Sequence, residues 1–278
     1  MGMQKVVLHL WFAYPGDLSD PGIAEACAAV LNDAERAQAA RFRFERHRHE
    51  YVATHALGRI ALSHSYPLPP QAWSYSANKY GKPAPIPDCG LRFNQSNSVG
   101  LAVCLVASAA TRDPYVSPTA SPPTGTEVGV DVESSSRAEE IVDLASHVFS
   151  LAEQAQLEAL PAADRPGRAL SLWTLKEAYI KARGMGLSLP LRKISFLFGG
   201  TEGIRLRVEA GVDDDPARWR FCLLNHMEHR IALVVQGAAS GLQVWESHPL
   251  LSTPRRLPDR EEPWFPILAA ASQLHQTG

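Results

Sequence analysis

Apolar and polar positions alternate along this chain with periods that change from segment to segment. VVLHLWFAY, from Val6 to Tyr14, is an almost unbroken apolar and β-branched run, and it predicts a buried strand. A helical pattern follows, containing VLNDAERAQAARF, and much later comes VFSLAEQAQLEAL. Laid over one another, Val30 meets Val148, Asn32 meets Ser150, Glu35 meets Glu153, and Ala37-Gln38 meets Ala155-Gln156. Each copy has an N-cap residue followed three positions on by Glu, which is the capping-box signature of a helix start. A second pair also matches. LRFNQSNSVGLAVCLV (Leu91 to Val106) and WRFCLLNHMEHRIALVVQ (Trp219 to Gln236) both read strand, short polar turn, strand.

The order strand, helices, hairpin therefore occurs twice. It predicts an α+β protein of two similar halves packed side by side about a pseudo-two-fold axis. SAATRDPYVSPTASPPTGTE, Ser108 to Glu127, is rich in Pro, Ser, Thr and Gly and cannot bury a core, so it reads as a linker or loop. The expected organisation is an N-terminal half over 1–110, a linker over 111–126, a C-terminal half over 127–245 and a tail over 246–278. The tail carries repeated prolines, Arg255-Arg256 and a short apolar stretch in which Trp264 and Phe265 are expected to dock on the surface.

Two patterns in the second half carry candidate chemistry. In EVGVDVESSSR, Val128, Val130 and Val132 alternate with Gly129, Asp131 and Glu133. Strand residues two apart share a face, so Asp131 and Glu133 aim two carboxylates at one place. Such a strand is either an amphipathic strand with a solvated acidic face or a seat for a hard cation such as Mg²⁺, which takes oxygen ligands and relieves the like-charge repulsion. In SLWTLKEAYIKARGMGLSLPL, Trp173, Glu177, Lys181 and Gly184 are spaced by four, four and three and share one helix face. Alone, that face is either a surface salt bridge or part of a site. Facing the strand, Glu177 makes a third carboxylate, and Lys181 beside it neutralises a phosphate, which is a phosphoryl-transfer layout. Gly184 and Gly186 permit a sharp turn or a close backbone approach. Trp173 reads as core or cleft wall. Lys176 lies about a hundred degrees from Glu177 on the helix, and contact with phosphate or with solvent both stay open.

Composition changes little of this and removes some alternatives. The chain has 278 residues with a formal net charge of −2, so no overall field recruits nucleic acid or an anionic membrane. Four cysteines, Cys27, Cys89, Cys104 and Cys222, lie far apart, forming neither a zinc spacing nor a disulfide framework. The N-terminal apolar run is too short for a membrane span and lacks a cleavage-site pattern, and Val6 does not fit a myristoylation start. A cytoplasmic protein with reduced thiols is the expectation. His47/His49 and His226/His229 lack ligand spacing, and Glu45 and Glu50 interrupt the Arg-rich run RFRFERHRHE, so metal and nucleic-acid readings of these segments are set aside.

GVDVE, followed some forty residues later by WTLKEAYIKARGMGLSLPL, resembles the signature of the surfactin-synthetase type (Sfp-type) 4′-phosphopantetheinyl transferase family: (V/I)G(V/I)DxE, then WxxKE(A/S)xxKxxGxG. The first half is similar as well. RFRFERHRHEYVATHALGR resembles the family's RF-rich helix, YGKP (Tyr80 to Pro83) its GKP motif, and FNQSNS (Phe93 to Ser98) its FNxSHS. The resemblance runs from about Val6 to Val235. It implies two pseudo-symmetric α+β halves with coenzyme A bound in the cleft between them. It also implies transfer of 4′-phosphopantetheine to a serine of an acyl or peptidyl carrier protein, serving fatty-acid, polyketide or nonribosomal peptide synthesis. By the resemblance Mg²⁺ sits on Asp131, Glu133 and Glu177, Glu177 deprotonates the serine, and Lys181 stabilises the phosphate charge. Arg46, Lys82, Ser96 and Asn97 fall at the nucleotide end. Where the family usually has a His that contacts the 3′-phosphate, this chain has Asn97, and where the Arg46 helix normally carries Asp it has His47. Arg46 or Arg48 then compensates at the 3′-phosphate. A monomer is expected, because a doubled fold supplies both walls of the cleft. Two other functions use the same residues: a metal-dependent phosphohydrolase or nuclease, and a non-catalytic binder of coenzyme A or carrier protein.

Overall fold

In the computed structural model, which describes residues 6–109, 126–199, 203–237, 239–247, 250 and 253–257, both halves run strand, helices, small hairpin and hairpin in that order, the second with one short helix more. The first contains β1 (Val6–Ala13), α1 (Pro21–Val30), α2 (Asp33–Ala40), α3 (Glu45–Ser65), β2 (Ser74–Ala77), β3 (Pro83–Ile86), β4 (Arg92–Ser98) and β5 (Leu101–Ala109). The second contains β6 (Val128–Ser134), α4 (Ala138–Asp143), α5 (Ala145–Val148), α6 (Leu151–Glu158), α7 (Arg165–Arg183), β7 (Ile194–Gly199), β8 (Gly203–Val208), β9 (Trp219–His226) and β10 (His229–Gln236). In each half the last strand lies between the first strand and its hairpin partner, all antiparallel: β1-β5-β4 and β6-β10-β9. A small separate hairpin follows the long helix both times, β2-β3 and β7-β8.

The repeat extends to single atoms. Asn32 and Ser150 close the two expected capping boxes with Glu35 and Glu153. Both glutamates then pair with a buried cation on the long helix that follows. Arg59 Nε donates to Glu35 Oε2 at 2.9 Å, and Lys176 Nζ lies 2.8 Å from Glu153 Oε2. Each cation also donates to two carbonyls at the approach to the small hairpin. Arg59 takes Pro70 and Trp73, and Lys176 takes Leu191 and Ile194. Lys176 is thus a buried structural ion-pair partner, 2% exposed, which closes both readings that its helical phase left open.

Three cores result. One lies between the first sheet and α1 and α3 and includes Trp11, Leu57, Leu62 and Trp73. One lies between the second sheet and α7 with β7 and includes Phe149, Leu175, Tyr179 and Phe196. The third lies between the two sheets, where Leu8, Leu10 and Phe12 of β1 and Leu101, Val103 and Leu105 of β5 meet Val128, Val130 and Val132 of β6. Each sheet is covered on both faces, giving a helix, sheet, sheet, helix stack. That is why β1 and β5 read as near-continuous apolar runs, while β6 alternates valines toward the other sheet with Gly129, Asp131 and Glu133 toward α7.

Two further strands join the first sheet. β11 (Ala239–Glu246) runs parallel to β1, and β12 (Arg255–Arg256) pairs with β11. β11 falls almost wholly inside the stretch 127–245, yet it completes the sheet of the first half. Most of the linker 111–126 and, in the tail, Trp264 and Phe265 lie outside the described residues.

Candidate functional site

The site is built where β4 of the first half lies against β6 of the second. Residues 94, 96 and 98 of FNQSNS share one face of β4, and all three side chains reach β6. Val130 N donates to Asn94 Oδ1 at 2.9 Å, Ser96 Oγ donates to Asp131 Oδ1 at 2.9 Å, and Ser134 N donates to Ser98 Oγ at 3.1 Å. The polar residues of this strand therefore stitch the halves together. Asn97, on the opposite face, is exposed.

Helix α7 brings the other groups. Gly129 is what lets it come close: a Cβ there would meet Ala178 O at 2.0 Å and Ala182 N at 2.6 Å. With the helix on the strand, Lys181 Nζ donates to Asp131 Oδ1 at 2.6 Å and to Ser96 Oγ at 2.8 Å. One turn back along the same face stands Glu177, and one more turn back Trp173. The Trp173 indole nitrogen donates to Glu133 Oε1 at 2.8 Å, and Arg137 Nη1 donates to the same oxygen at 2.7 Å.

Both strand carboxylates are buried, Asp131 to 4% exposure and Glu133 to 9%. Each gives one oxygen to two protein donors. Asp131 Oδ2 is buried and has no hydrogen-bond partner. Burial, followed by the charge of Asp131, pushes the Glu133 carboxyl above its usual range, against the pull of Arg137 and Trp173. Burial and then Asp131 push Glu177 up as well, while Lys181 opposes them. These three acids feel one another's charge. Among the described residues, no group of three or more His, Cys, Asp or Glu side chains is gathered tightly enough, as it stands, to hold a metal ion.

A cleft of about 510 Å³ opens over these groups. Ser96, Asn97, Asp131, Glu133 and Lys181 line it from the β4–β6 seam and α7, and Glu50, Thr54 and His55 line it from α3. Five of the eight expected site residues thus meet at one cleft, and Glu177 stands beside them on α7. Arg46 is exposed on the first turn of α3 and reaches the cleft-lining Glu50 at 3.9 Å. Arg48 pairs instead with Glu45 at 3.0 Å.

Lys82 is placed elsewhere. Its Nζ donates to Ala182 O at 2.7 Å and pairs with Glu127, so it caps the carbonyl end of α7, where a cation complements the helix dipole. Asn78 Nδ2 donates to Gly184 O at 2.8 Å from the same loop. Gly184 closes α7 with φ +59, and a Cβ there would lie 2.6 Å from Lys82 Cδ, so two reasons require glycine. The GKP segment of the first half thus clasps the long helix of the second. Sequence reasoning missed Arg137 as a Glu133 partner. The four-residue spacing from Glu133 at the end of a strand was the available signal.

Comparison with known proteins bears on these residues. The sequence profile of the 4′-phosphopantetheinyl transferase superfamily matches residues 127–234. The 4′-phosphopantetheinyl transferase HetI of Nostoc sp. is 30% identical over 203 residues, covering 72% of this chain and 78% of that protein. The 4′-phosphopantetheinyl transferase Sfp of Bacillus subtilis is 27% identical over 172 residues, 62% of this chain and 68% of that one. Among solved structures, the holo-[acyl-carrier-protein] synthase of Thermotoga maritima aligns at 26% identity with a TM-score of 0.33, over 40% of this chain and 62% of that one. The signature residues on β6 and α7, and relatives of this identity and extent, lead to one conclusion: the chain belongs to the 4′-phosphopantetheinyl transferase superfamily and is an enzyme of that kind.

Proposed function

We propose that this enzyme transfers the 4′-phosphopantetheine group of coenzyme A to a serine of an acyl or peptidyl carrier protein, releasing 3′,5′-ADP. The observation that carries the reading is the joint hold of Lys181 and Ser96 on Asp131 Oδ1 across the seam of the two halves, with Asp131 Oδ2 buried and unpartnered beneath the cleft.

An unpartnered buried carboxylate oxygen and two carboxyls pushed up by burial and by like charge fit a site short of one cation. Asp131, Glu133 and Glu177 would hold it, and their all-oxygen donor set suits Mg²⁺. A bound Mg²⁺ supplies charge stabilisation to the phosphates. Glu177 accepts the proton of the carrier serine as its oxygen attacks the β-phosphorus. The new bond runs from serine oxygen to that phosphorus, the bond to the bridging oxygen breaks, and 3′,5′-ADP leaves with the electron pair. Lys181 places its ammonium group beside the transferring phosphate, where developing charge is stabilised. Arg46 and Asn97 face the nucleotide end of the cleft, with the neutral Asn97 amide offering no charged contact to the 3′-phosphate.

The chain acts as a monomer in this reading, since β4 and β6 of one chain already form both walls. The test is the release of 3′,5′-ADP from coenzyme A with and without an apo carrier protein. Release only with the carrier supports transfer, and equal release without it marks a phosphohydrolase.

A further inference from the structure

β6 stands at the end of its sheet. Among the described residues its backbone pairs with β10 along one edge and with no strand along the other. All seven of its residues are nevertheless buried. Successive amides of a strand point to opposite edges, so those turned away from β10 need acceptors from elsewhere. β4 supplies them with side chains instead of a backbone ladder. Asn94 Oδ1 accepts from Val130 N at 2.9 Å, and Ser98 Oγ accepts from Ser134 N at 3.1 Å. The sequence offset is 36 in both bonds, so β4 and β6 run side by side in one register. Asn94 is buried, and Val130 fully so.

These two bonds fall on either side of Asp131 and Glu133. Four residues of strand, about 13 Å, separate them. A slip of β6 by one residue would break both and turn each carboxylate to the opposite face. The first bond lies next to Gly129, where α7 presses closest on the strand. The second lies where β6 gives way to the turn Ser135–Arg137, from which Arg137 reaches back to Glu133. Ser98 also lines the cleft, whereas Asn94 is not one of the residues lining it.

We propose that Asn94 and Ser98 are positioning residues: two side chains of the first half stand in for a neighbouring strand and set the register at which Asp131 and Glu133 meet α7. The bond at Val130 holds Asp131 level with Lys181, and the bond at Ser134 holds Glu133 level with Trp173 and Arg137. The inference rests on the transfer reading above, with its metal held by those carboxylates. Neither residue reacts. Each acts through the β6 backbone, as supporting groups do around a preorganised site.

The experiment measures Mn²⁺ binding by electron paramagnetic resonance on the full chain with coenzyme A and no carrier, beside steady-state transfer to an apo acyl carrier protein. Asn94→Leu keeps a side chain of similar size and removes the acceptor, and Ser98→Ala removes one hydroxyl. Each should weaken Mn²⁺ about fivefold and lower kcat by a similar factor. Ser98→Thr, which keeps the hydroxyl, should stay within about twofold of wild type. Asp214, which accepts from the Trp219 indole at 2.8 Å, lines no part of the cleft. Asp214→Asn should therefore lower the melting temperature without moving Mn²⁺ affinity, which separates lost register from lost stability. Unchanged Mn²⁺ affinity in both Asn94→Leu and Ser98→Ala overturns the inference, and so does an equal loss in Asp214→Asn. If Asn94→Leu does not fold, the contrast between Ser98→Ala and Ser98→Thr decides. Wild-type chain that transfers to no carrier overturns the functional reading, and this inference with it; transfer with silent variants overturns the inference alone.

Discussion

Trp173 donates its indole N–H to Glu133 Oε1 across 2.8 Å, and so an aromatic side chain on the helix holds a carboxylate on the strand. Arg137 donates to the same oxygen and rests its guanidinium 5.9 Å from the Trp173 ring centre. Two donors, one from the helix and one from the segment after the strand, thus meet on a single Glu133 oxygen. In the proposed function Glu133 holds a metal ion, and removing a group that orients such a ligand typically weakens binding about 10- to 100-fold.

Replacing Trp173 with Phe keeps a ring in the wall and removes the donor. We expect Mn²⁺, used as a paramagnetic probe of the proposed metal site, to bind at least about tenfold more weakly. Melting temperature should change by only a few degrees. Electron paramagnetic resonance titration measures the first and calorimetry the second. Unaltered Mn²⁺ affinity would make the indole a packing residue only.

Gly129→Ala should damage the fold itself. The added methyl meets backbone atoms of α7 at 2.0 and 2.6 Å, and backbone cannot rotate away as a side chain can. A loss of about 2–3 kcal/mol is expected, read as a lower urea midpoint. An unchanged midpoint would show that α7 is free to shift from β6.

Lys176 sits beside Glu177 in sequence but serves stability. Lys176→Met strands Glu153 without its partner, at a cost of about 3–5 kcal/mol. Adding Glu153→Leu should recover only part of that, because the buried charge is gone but the Ser150 and Phe196 amides lose the carboxylate that accepts from them. Denaturant titration of the single and double variants tests this. Transfer by the double variant should persist, since neither residue faces the cleft.

Asp214 gives a pH signature. Burial alone would raise its pKa, but donors from Tyr179 and Trp219 and the charge of Arg183 outweigh it and hold the carboxyl below its ordinary value. A folded pKa below the unfolded one stabilises the fold at pH above the unfolded value, and the benefit fades as pH falls through the folded value. Wild type should therefore be more stable than Asp214→Asn at neutral pH, with the gap closing below about pH 4. Urea midpoints across that range check it, and a constant gap would contradict it.

Much of this was legible in the sequence because the signals are local. The capping boxes at Asn32 and Ser150 and the alternation of β6 each sit within a few residues, and the structure has both. Asp131 and Glu133 on one strand face, and Glu177 and Lys181 on one helix face, follow from the same periods. Contacts between distant segments left no such trace. The parallel pairing of β11 with β1 joins Leu8 to Leu242, and no periodicity encodes it. Lys82 reads as a nucleotide-side residue from its motif, yet its ammonium is spent on Ala182 O, 100 residues away. Ser96, expected at the nucleotide, sits between Asp131 and Lys181. The cation partners of Glu35 and Glu153 were within reach: Arg59 and Lys176 follow their glutamates at nearly equal spacing, which the internal repeat exposes once those glutamates are aligned.

Asp131, gripped by Ser96 and Lys181 at the seam, organises phosphopantetheine transfer to a carrier serine in this account. The most direct test is the intact mass of an apo carrier protein after incubation with coenzyme A, Mg²⁺ and either the wild-type chain or Asp131→Ala, with folding of the variant verified by circular dichroism. The account predicts a gain of one phosphopantetheine on a single serine with the wild type and an unmodified carrier with the folded variant. An unmodified carrier with the wild type, whichever acyl or peptidyl carrier is offered, or full modification by Asp131→Ala, would contradict it.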